Sequence, residues 1–113
     1  MGEKDPSDVR GVLQRVQEQA QAGEYRVTVH ANQEMWDEDI FLSEVLETIA
    51  AAHVLENYPQ HRRGPCCLLN GRTRQGRPLH VVCTTACEML ILITVYEPKP
   101  PKWISPTQRR QQS

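Results

Sequence analysis

Two histidines and the polar groups near them are the residues of this sequence best suited to acid and base chemistry. His30 and Glu34 are four residues apart, so on a helix the carboxylate would lie one turn from the imidazole and orient it as a general base. His80 and Tyr96 bring polar atoms into two otherwise apolar segments. Each also has a structural explanation: His30 as a helix cap or the filler of a polar gap, His80 as a core histidine bonded to a carbonyl, and Tyr96 as a packed ring.

The charges are divided unevenly along the chain. Residues 1–57 carry 12 acidic and 4 basic groups, whereas residues 58–113 carry 9 basic and 2 acidic groups, although the net charge of the whole chain is only -1. A sheet built from the second half would therefore attract a polyanion or an acidic partner protein. No apolar run approaches the roughly 20 residues of a membrane-spanning helix, so we expect a cytoplasmic protein with no membrane contact.

Hydrophobic periodicity predicts three helices in the first half of the chain. Asp5 is expected to cap the first helix, with Pro6 at its first position, apolar residues at helical spacing from Val9 to Ala20, and Gly23 ending it. A short strand at 25–29 leads directly into a helix that starts near His30. A third helix is predicted from 42 to 50, and the small residues 50–52 after it would let that helix approach a sheet closely.

Four strands are predicted in the second half, at 54–58, 66–72, 79–84 and 90–96, joined by short connections as in a meander. The predicted fold class is α+β, a three- to five-stranded antiparallel sheet packed against two to three N-terminal helices. We expect one domain overall: a covering helix at 1–24, an α+β core at 25–103 and a polar tail at 104–113 that frays. The register of the hairpin is not fixed by the sequence, so whether His80 and Tyr96 share a face stays open.

The four cysteines, Cys66, Cys67, Cys83 and Cys87, form no C-x-x-C pair. The favoured interpretation is reduced, structural thiols; the alternatives are a metal site that includes His80 or His61, and redox reactivity. No P-loop, G-x-S-x-G, H-E-x-x-H or dinucleotide-binding fingerprint occurs. We therefore predict no cofactor and no metal site.

Five ordered motifs carry a family resemblance. They are V-T-V-H-A-x-x-E-M at 27–35, E-N-Y-P at 56–59, G-P-C-C-L-L-x-G at 64–71, G-R-P-L-H-V-V-C at 76–83, and I-T-V-Y-E-P at 93–98 followed by Lys102 and Trp103. Over 25–103 the chain resembles a bacterial family, the domain of unknown function DUF4258, which is similar to the RelE, BrnT and MqsR toxins. Those are small ribonucleases in which helices pack on an antiparallel sheet.

The resemblance implies the toxin of a type II toxin-antitoxin pair with a RelE/BrnT-like fold. Many family members lie beside genes for a zinc-finger antitoxin of the YgiT/MqsA type, so the implied partners are a cognate antitoxin and RNA. The chain departs from the wider group at Glu34 and Glu38, where relatives carry arginines. If those arginines bind phosphate, the role is missing here or is taken by arginines elsewhere in the chain.

RNA cleavage without a metal needs a base for the ribose 2'-hydroxyl, a cation for the phosphorane and an acid for the departing oxygen. His80 or His30 would serve as base, and Tyr96 or the other histidine as acid. The candidate RNA-binding residues are cations and one aromatic group of the second half: Arg72, Arg74, Arg77, Lys102 and Trp103. For Arg74 the simpler interpretation is a solvated turn residue.

Three functions remain compatible with these residues. The favoured function is a metal-independent endoribonuclease toxin that acts on mRNA, and it requires the arginines and imidazoles of the C-terminal strands to converge on one concave surface. The alternative is a non-catalytic protein- or RNA-binding module that retains the toxin-like fold. The third is a small metal or redox protein that uses the cysteines.

Overall fold

The chain folds into three helices, a five-stranded sheet and a short C-terminal hairpin. The computed structural model describes residues 5–110. The elements in chain order are α1 (Val9–Gln21), β1 (Tyr25–Val27), α2 (Val29–Asp37), α3 (Leu42–Ala50), β2 (His53–Tyr58), β3 (Cys66–Arg72), β4 (Pro78–Thr84), β5 (Leu90–Tyr96), β6 (Trp103–Ser105) and β7 (Gln108–Arg109). Within this part of the chain, no helix has the length and apolar character needed to cross a bilayer.

The main sheet has the strand order β1-β5-β4-β3-β2. Strands β2 to β5 form the antiparallel meander that the sequence predicts, which confirms the α+β class. Strand β1 instead pairs parallel with β5, so the expectation of a wholly antiparallel sheet is wrong at this edge. The reason is a long connection: after β1 the chain passes through both α2 and α3 before it enters the sheet at the opposite edge.

The helices cover one face of the sheet and bury the main core against it. Alternate strand residues such as Leu69, Leu79, Val81 and Leu92 point toward the helices and are fully buried. The opposite face carries His80 and Tyr96, which are paired across β4 and β5. Because successive side chains of a strand point to opposite faces, every strand presents side chains to both faces of the sheet.

The first helix starts later than predicted. Asp5 does not cap it, because its carboxylate accepts hydrogen bonds from the backbone N–H and the hydroxyl of Ser7, at 3.0 and 2.7 Å. These bonds hold residues 5–7 in a turn, and the helix begins at Val9 after Asp8. Gly23 follows the end of the helix with a φ of 76°, as the stop signal predicts.

Thr28 fixes the transition from β1 to α2. Its hydroxyl accepts a bond from the N–H of Ala31 and donates one to the carbonyl of Ile93, both at 3.0 Å. Strand β1 therefore ends at Val27, two residues earlier than predicted, and Thr28 rather than His30 caps the helix. The third helix has the predicted bounds.

The C-terminal tail is ordered up to Arg110, contrary to the prediction that it frays. Strands β6 and β7 pair as a hairpin, and Trp103 at its start is only 2% exposed. The guanidinium of Arg109 lies 4.5 Å from the centre of the Trp103 ring. Residues 111–113 of the predicted tail lie outside the described residues.

Gly71 allows α3 to approach the sheet closely. A Cβ at this position would lie 2.6 Å from the carbonyl oxygen of Thr48 and 3.1 Å from the Cα of Ala52, both backbone atoms. We predict that Gly71→Ala lowers the free energy of unfolding by about 1–3 kcal/mol, because the helix must shift away from the strand. Urea unfolding monitored by circular dichroism measures the change.

Gly11→Ala in α1 is the matched control. There the nearest atom is a carboxylate oxygen of Asp8 at 2.8 Å, at the end of a side chain that can turn away. Because alanine favours helix over glycine by up to about 1 kcal/mol, this variant should be as stable as the wild type or more so. Equal unfolding midpoints for the two variants would contradict the close approach at Gly71.

Candidate active site at the covered sheet face

His80 lies at the centre of the sheet on the face away from the helices. It pairs with Asn70 on β3 and Tyr96 on β5, so the hairpin register places the histidine and the tyrosine on one face. The Nε2 of His80 is 2.6 Å from the carbonyl oxygen of Pro106, and its Nδ1 is 3.1 Å from the Tyr96 hydroxyl. A carbonyl can only accept, so Nε2 carries the proton, and Nδ1 of the neutral ring accepts from Tyr96.

The C-terminal hairpin closes over this pair. The rings of Trp103 and Tyr96 both pack edge to face against the His80 ring. Their centres lie 4.4 Å and 5.2 Å, respectively, from the centre of the imidazole. His80 is completely buried as a result. Burial lowers the pKa of His80, although its bond to the Pro106 carbonyl acts in the opposite direction. Burial also raises the pKa of Tyr96.

A second polar cluster, formed by Glu56, Tyr58 and Arg109, anchors the hairpin to β2. The guanidinium of Arg109 binds both carboxylate oxygens of Glu56, at 2.6 and 2.8 Å, and the Tyr58 hydroxyl donates to the same carboxylate. Hydrogen bonding by Arg109 lowers the pKa of Glu56, and the bond to Glu56 raises the pKa of Tyr58. The same ion pair raises the pKa of Arg109.

Sequence reasoning gave these three residues no role. Glu56 and Tyr58 are two apart on a strand, and that spacing already places both side chains on one face. The alternation along β2 therefore predicts that Glu56 and Tyr58 can act together. No comparable pattern points to Arg109, because the segment around it has the composition of a polar tail.

The structure does not bring His30 and Glu34 to this site. Their side chains are 3.5 Å apart on α2, as the helical spacing predicts, but the His30 side chain is 68% exposed. Glu34 also accepts a bond from the N–H of Val95, and burial raises its pKa. Helix α2 covers the opposite face of the sheet from Tyr96, so the predicted catalytic residues form two separate pairs.

The predicted phosphate-binding residues are also divided. Arg77 turns toward the helices, where it donates to a carboxylate oxygen of Glu97 at 2.9 Å and to the carbonyls of Glu38 and Asp39 at 2.7 and 3.0 Å. Trp103 is buried against His80, so it has no free face for a base. The polar groups of Arg77 and the ring of Trp103 are thus occupied by contacts within the protein.

Three of the predicted cations remain at the surface. Arg72, Arg74 and Lys102 are exposed, although Arg72 donates one bond to the carbonyl of Gly76. Strands β3 and β5 both run antiparallel to β4, so the end of β3 and the chain that leaves β5 lie at the same end of the sheet. Arg72 and Lys102 therefore lie at the same end of the sheet as the hairpin that covers His80. Arg74 lies on the helical side instead, because its N–H donates to a carboxylate oxygen of Glu47 on α3 at 3.1 Å and the residue lines a cavity with Phe41.

The cysteines do not form a ligand set. Cys66, Cys67 and Cys83 are buried and Cys87 is exposed, and all four are free thiols. The sulfurs of Cys67 and Cys83 are 3.9 Å apart across β3 and β4, on the face packed against the helices. Among residues 5–110, no three histidine, cysteine or acidic side chains are grouped as metal ligands would be.

The lowered pKa of His80 makes stability depend on pH. Between that pKa and the unfolded value near 6.5, the unfolded chain binds the extra proton, so the free energy of unfolding must fall as the pH is lowered through this window. One proton contributes at most about 1.4 kcal/mol per pH unit. We predict a smaller decrease between pH 7 and pH 5 for His80→Gln than for the wild type in urea unfolding.

The comparison removes the contributions of the exposed histidines, because both proteins contain them. Glu56 does not contribute between pH 7 and pH 5, because its ion pair with Arg109 holds its pKa below the ordinary value of 4.5. Identical pH slopes for the two proteins would show that His80 is not held neutral in the folded state.

The comparisons with known proteins identify one family. No match was found among curated proteins or among solved structures. A family model, described as a domain of unknown function (DUF4258), matches residues 27–97, more than half of the chain. The matched segment begins at the last residue of β1 and contains α2, α3 and β2 to β5, including His80 and Tyr96. It ends before the hairpin that covers these two residues. The chain belongs to the DUF4258 family.

Proposed function

We propose that this chain binds single-stranded RNA as a non-catalytic module with a toxin-like fold. The observation that carries the proposal is the position of the C-terminal hairpin: it brings exposed cations to the sheet and at the same time encloses His80. The basic surface consists of the exposed residues Arg72, Lys102 and Arg110. No acidic residue occurs from 98 to 113, so the hairpin carries only positive charge.

The chemistry of these cationic side chains indicates which class of ligand the surface binds. Guanidinium groups bind phosphate oxygens through two parallel bonds, and a surface of separated cations follows a flexible phosphate backbone. The resemblance to ribonuclease toxins supports RNA over an acidic protein. The absence of catalysis rests on His80: both ring nitrogens are already bonded, and no part of the ring reaches solvent.

The first prediction for this function concerns salt dependence. A single-stranded RNA should bind with an affinity that falls as salt rises, and each lost phosphate contact should reduce the slope of log affinity against log salt by about 0.7. Lys102→Ala and Arg110→Ala should each weaken binding and lower the slope. Fluorescence anisotropy with a labelled oligonucleotide measures both quantities.

Arg10→Ala is the matched control, since Arg10 is an exposed arginine of α1 and its loss changes the net charge equally. It should leave affinity and slope close to the wild-type values. If all three variants lose affinity to the same extent, the binding is a response to net charge and the proposed surface is wrong.

A second candidate function is a metal-independent endoribonuclease toxin, held inactive while the hairpin is closed. It is favoured by the hydrogen-bonded pair His80 and Tyr96 on one sheet face. Arg72 is two residues from Asn70, the partner of His80 on β3, so it points to the same face and stays there when the hairpin moves. With the hairpin displaced, neutral His80 would take the proton of a ribose 2'-hydroxyl, whose oxygen attacks the phosphorus, and Arg72 would stabilise the phosphorane. The P–O5' bond would break as Tyr96 protonates the departing oxygen, leaving a 2',3'-cyclic phosphate.

The proposed partner of that toxin is a cognate antitoxin, of the YgiT/MqsA zinc-finger type, that covers the basic surface. In this reading, expression of the chain alone arrests growth, and the purified protein cleaves RNA in the presence of EDTA. Tyr96→Phe and His80→Gln should reduce cleavage at least 100-fold, in line with the loss of a general acid or base. Product analysis for cyclic phosphate ends measures the reaction.

His30→Gln is the control for cleavage, because it makes the same substitution at an exposed histidine on the helical side. It should cleave like the wild type. If growth and bulk RNA stay intact while RNA still binds, the nuclease is excluded and the binding module stands. If His30→Gln removes cleavage and His80→Gln does not, the site has been placed on the wrong face of the sheet.

A further inference from the structure

The largest exposed apolar side chains near the helices lie around one groove between α2 and α3. Trp36 is 81% exposed, Phe41 70% and Leu42 37%. They surround a cavity of about 560 Å³ whose lining also includes the buried residues Met35 and Ile40. Single exposed hydrophobic residues are common, but two neighbouring aromatic rings beside a concave apolar floor are typical of an interaction site.

The local structure gives no reason for these residues to be apolar. Phe41 occupies the position before α3 where serine, threonine, asparagine or aspartate would cap the helix. Its own N–H is instead bonded by the Glu44 carboxylate at 2.9 Å, and its ring extends into solvent. Val29, seven residues before Trp36 and thus on the same side of α2, is 88% exposed. Residues that break local rules without a gain in folding are candidates for function.

The surroundings of the groove are acidic. No lysine or arginine occurs from 29 to 50, the segment that forms α2, α3 and the loop between them, whereas this segment contains Glu34, Asp37, Glu38, Asp39, Glu44 and Glu47. Arg77, which directly precedes β4, reaches the loop between α2 and α3, but its guanidinium is bonded to Glu97 and to two backbone carbonyls. Arg74 lies beside Phe41 in a neighbouring cavity that the carboxylate residues Glu44 and Glu47 also line. A ligand of this groove must therefore present apolar side chains together with positive charge.

We propose that the groove binds an amphipathic segment of another protein that carries apolar residues at helical spacing, flanked by lysine or arginine. Aromatic residues at the centre of such a contact provide most of the binding energy, and the surrounding carboxylates select a basic partner. The site is independent of the proposed RNA surface, because it lies on the helical side of the sheet and has the opposite charge.

A second copy of this chain fits the groove less well. Its basic hairpin offers one exposed large hydrophobic residue, Ile104, for a groove lined by three. A contact between the groove of one copy and the hairpin of the next is also heterologous, so it would build an open chain of copies rather than a closed dimer. The occupant is therefore a segment of a different protein.

The test uses two synthetic helical peptides of about 14 residues, or four turns, with leucine at the same positions and either lysine or glutamate elsewhere. The full-length protein is titrated with each labelled peptide, and fluorescence anisotropy measures the affinity. The leucine-lysine peptide should bind at least ten-fold more tightly than the leucine-glutamate peptide. The double variant Trp36→Ser, Phe41→Ser should lose at least ten-fold in affinity for it, although its charge is unchanged.

Serine is a favourable residue before a helix, so the Phe41 substitution should leave α3 intact, and circular dichroism checks this. Val9→Ser is the matched control, because it removes an exposed hydrophobic residue from α1, and it should bind like the wild type. Equal affinity of the wild type and the double variant overturns the proposal, as does failure of the wild type to bind the basic peptide. Light scattering that shows Trp36-dependent self-association would overturn the choice of occupant and assign the groove to a second copy.

Discussion

The contact of His80 with the C-terminal hairpin is the interaction on which the second layer of this protein depends. A buried imidazole is tolerated only when its polar atoms are paired, and here the Pro106 carbonyl and the Tyr96 hydroxyl supply both partners. Trp103 excludes water from the same ring. If the hairpin left, the Nε2–H bond would pass to water and the ring would become both accessible and easier to protonate. The imidazole that holds the hairpin in place is thus also the group that the hairpin keeps from solvent.

The ion pair between Glu56 and Arg109 supports this contact from the sheet edge. A bidentate arginine-carboxylate pair fixes orientation as well as distance, and Arg109 also lies over the ring of Trp103. The hairpin spans only seven residues, 103–109, and would not be stable by itself. Its order therefore comes from these long-range contacts with β2, β4 and β5.

That dependence explains which parts of the fold the sequence predicts. The four strands of the meander and the third helix are visible because their apolar residues recur at a local period. The hairpin is missed because its residues are mostly polar, and Trp103 and Arg109 acquire partners only in the folded chain. The parallel pairing of β1 with β5 is missed for a related reason: strand direction is decided by a connection of two helices, which no local pattern records.

The candidate site divides in the same way. Sequence reasoning finds His80 and Tyr96 as polar intrusions in apolar strands, and the register that it leaves open is resolved by the pairing of these two residues. It places His30 and Glu34 correctly relative to each other, because i and i+4 on a helix is a local relation. The sequence does not show that the sheet separates His30 and Glu34 from His80 and Tyr96, because the side of a sheet on which a helix packs is a property of the whole fold.

Arg77 shows how a residue type can be read correctly and its role still be missed. An arginine beside a turn in a basic segment suggests phosphate binding, since the guanidinium fork matches two oxygens. Here the fork meets oxygens of the protein: the Glu97 carboxylate and the carbonyls of Glu38 and Asp39. Asp39 has a φ of 54°, so the chain between α2 and α3 turns through a left-handed residue that Arg77 holds from outside. A lysine offers a single charged group instead of a fork and would not hold all three oxygens. The arginine expected to bind RNA thus fixes the loop between α2 and α3, which follows Trp36 and contains Phe41.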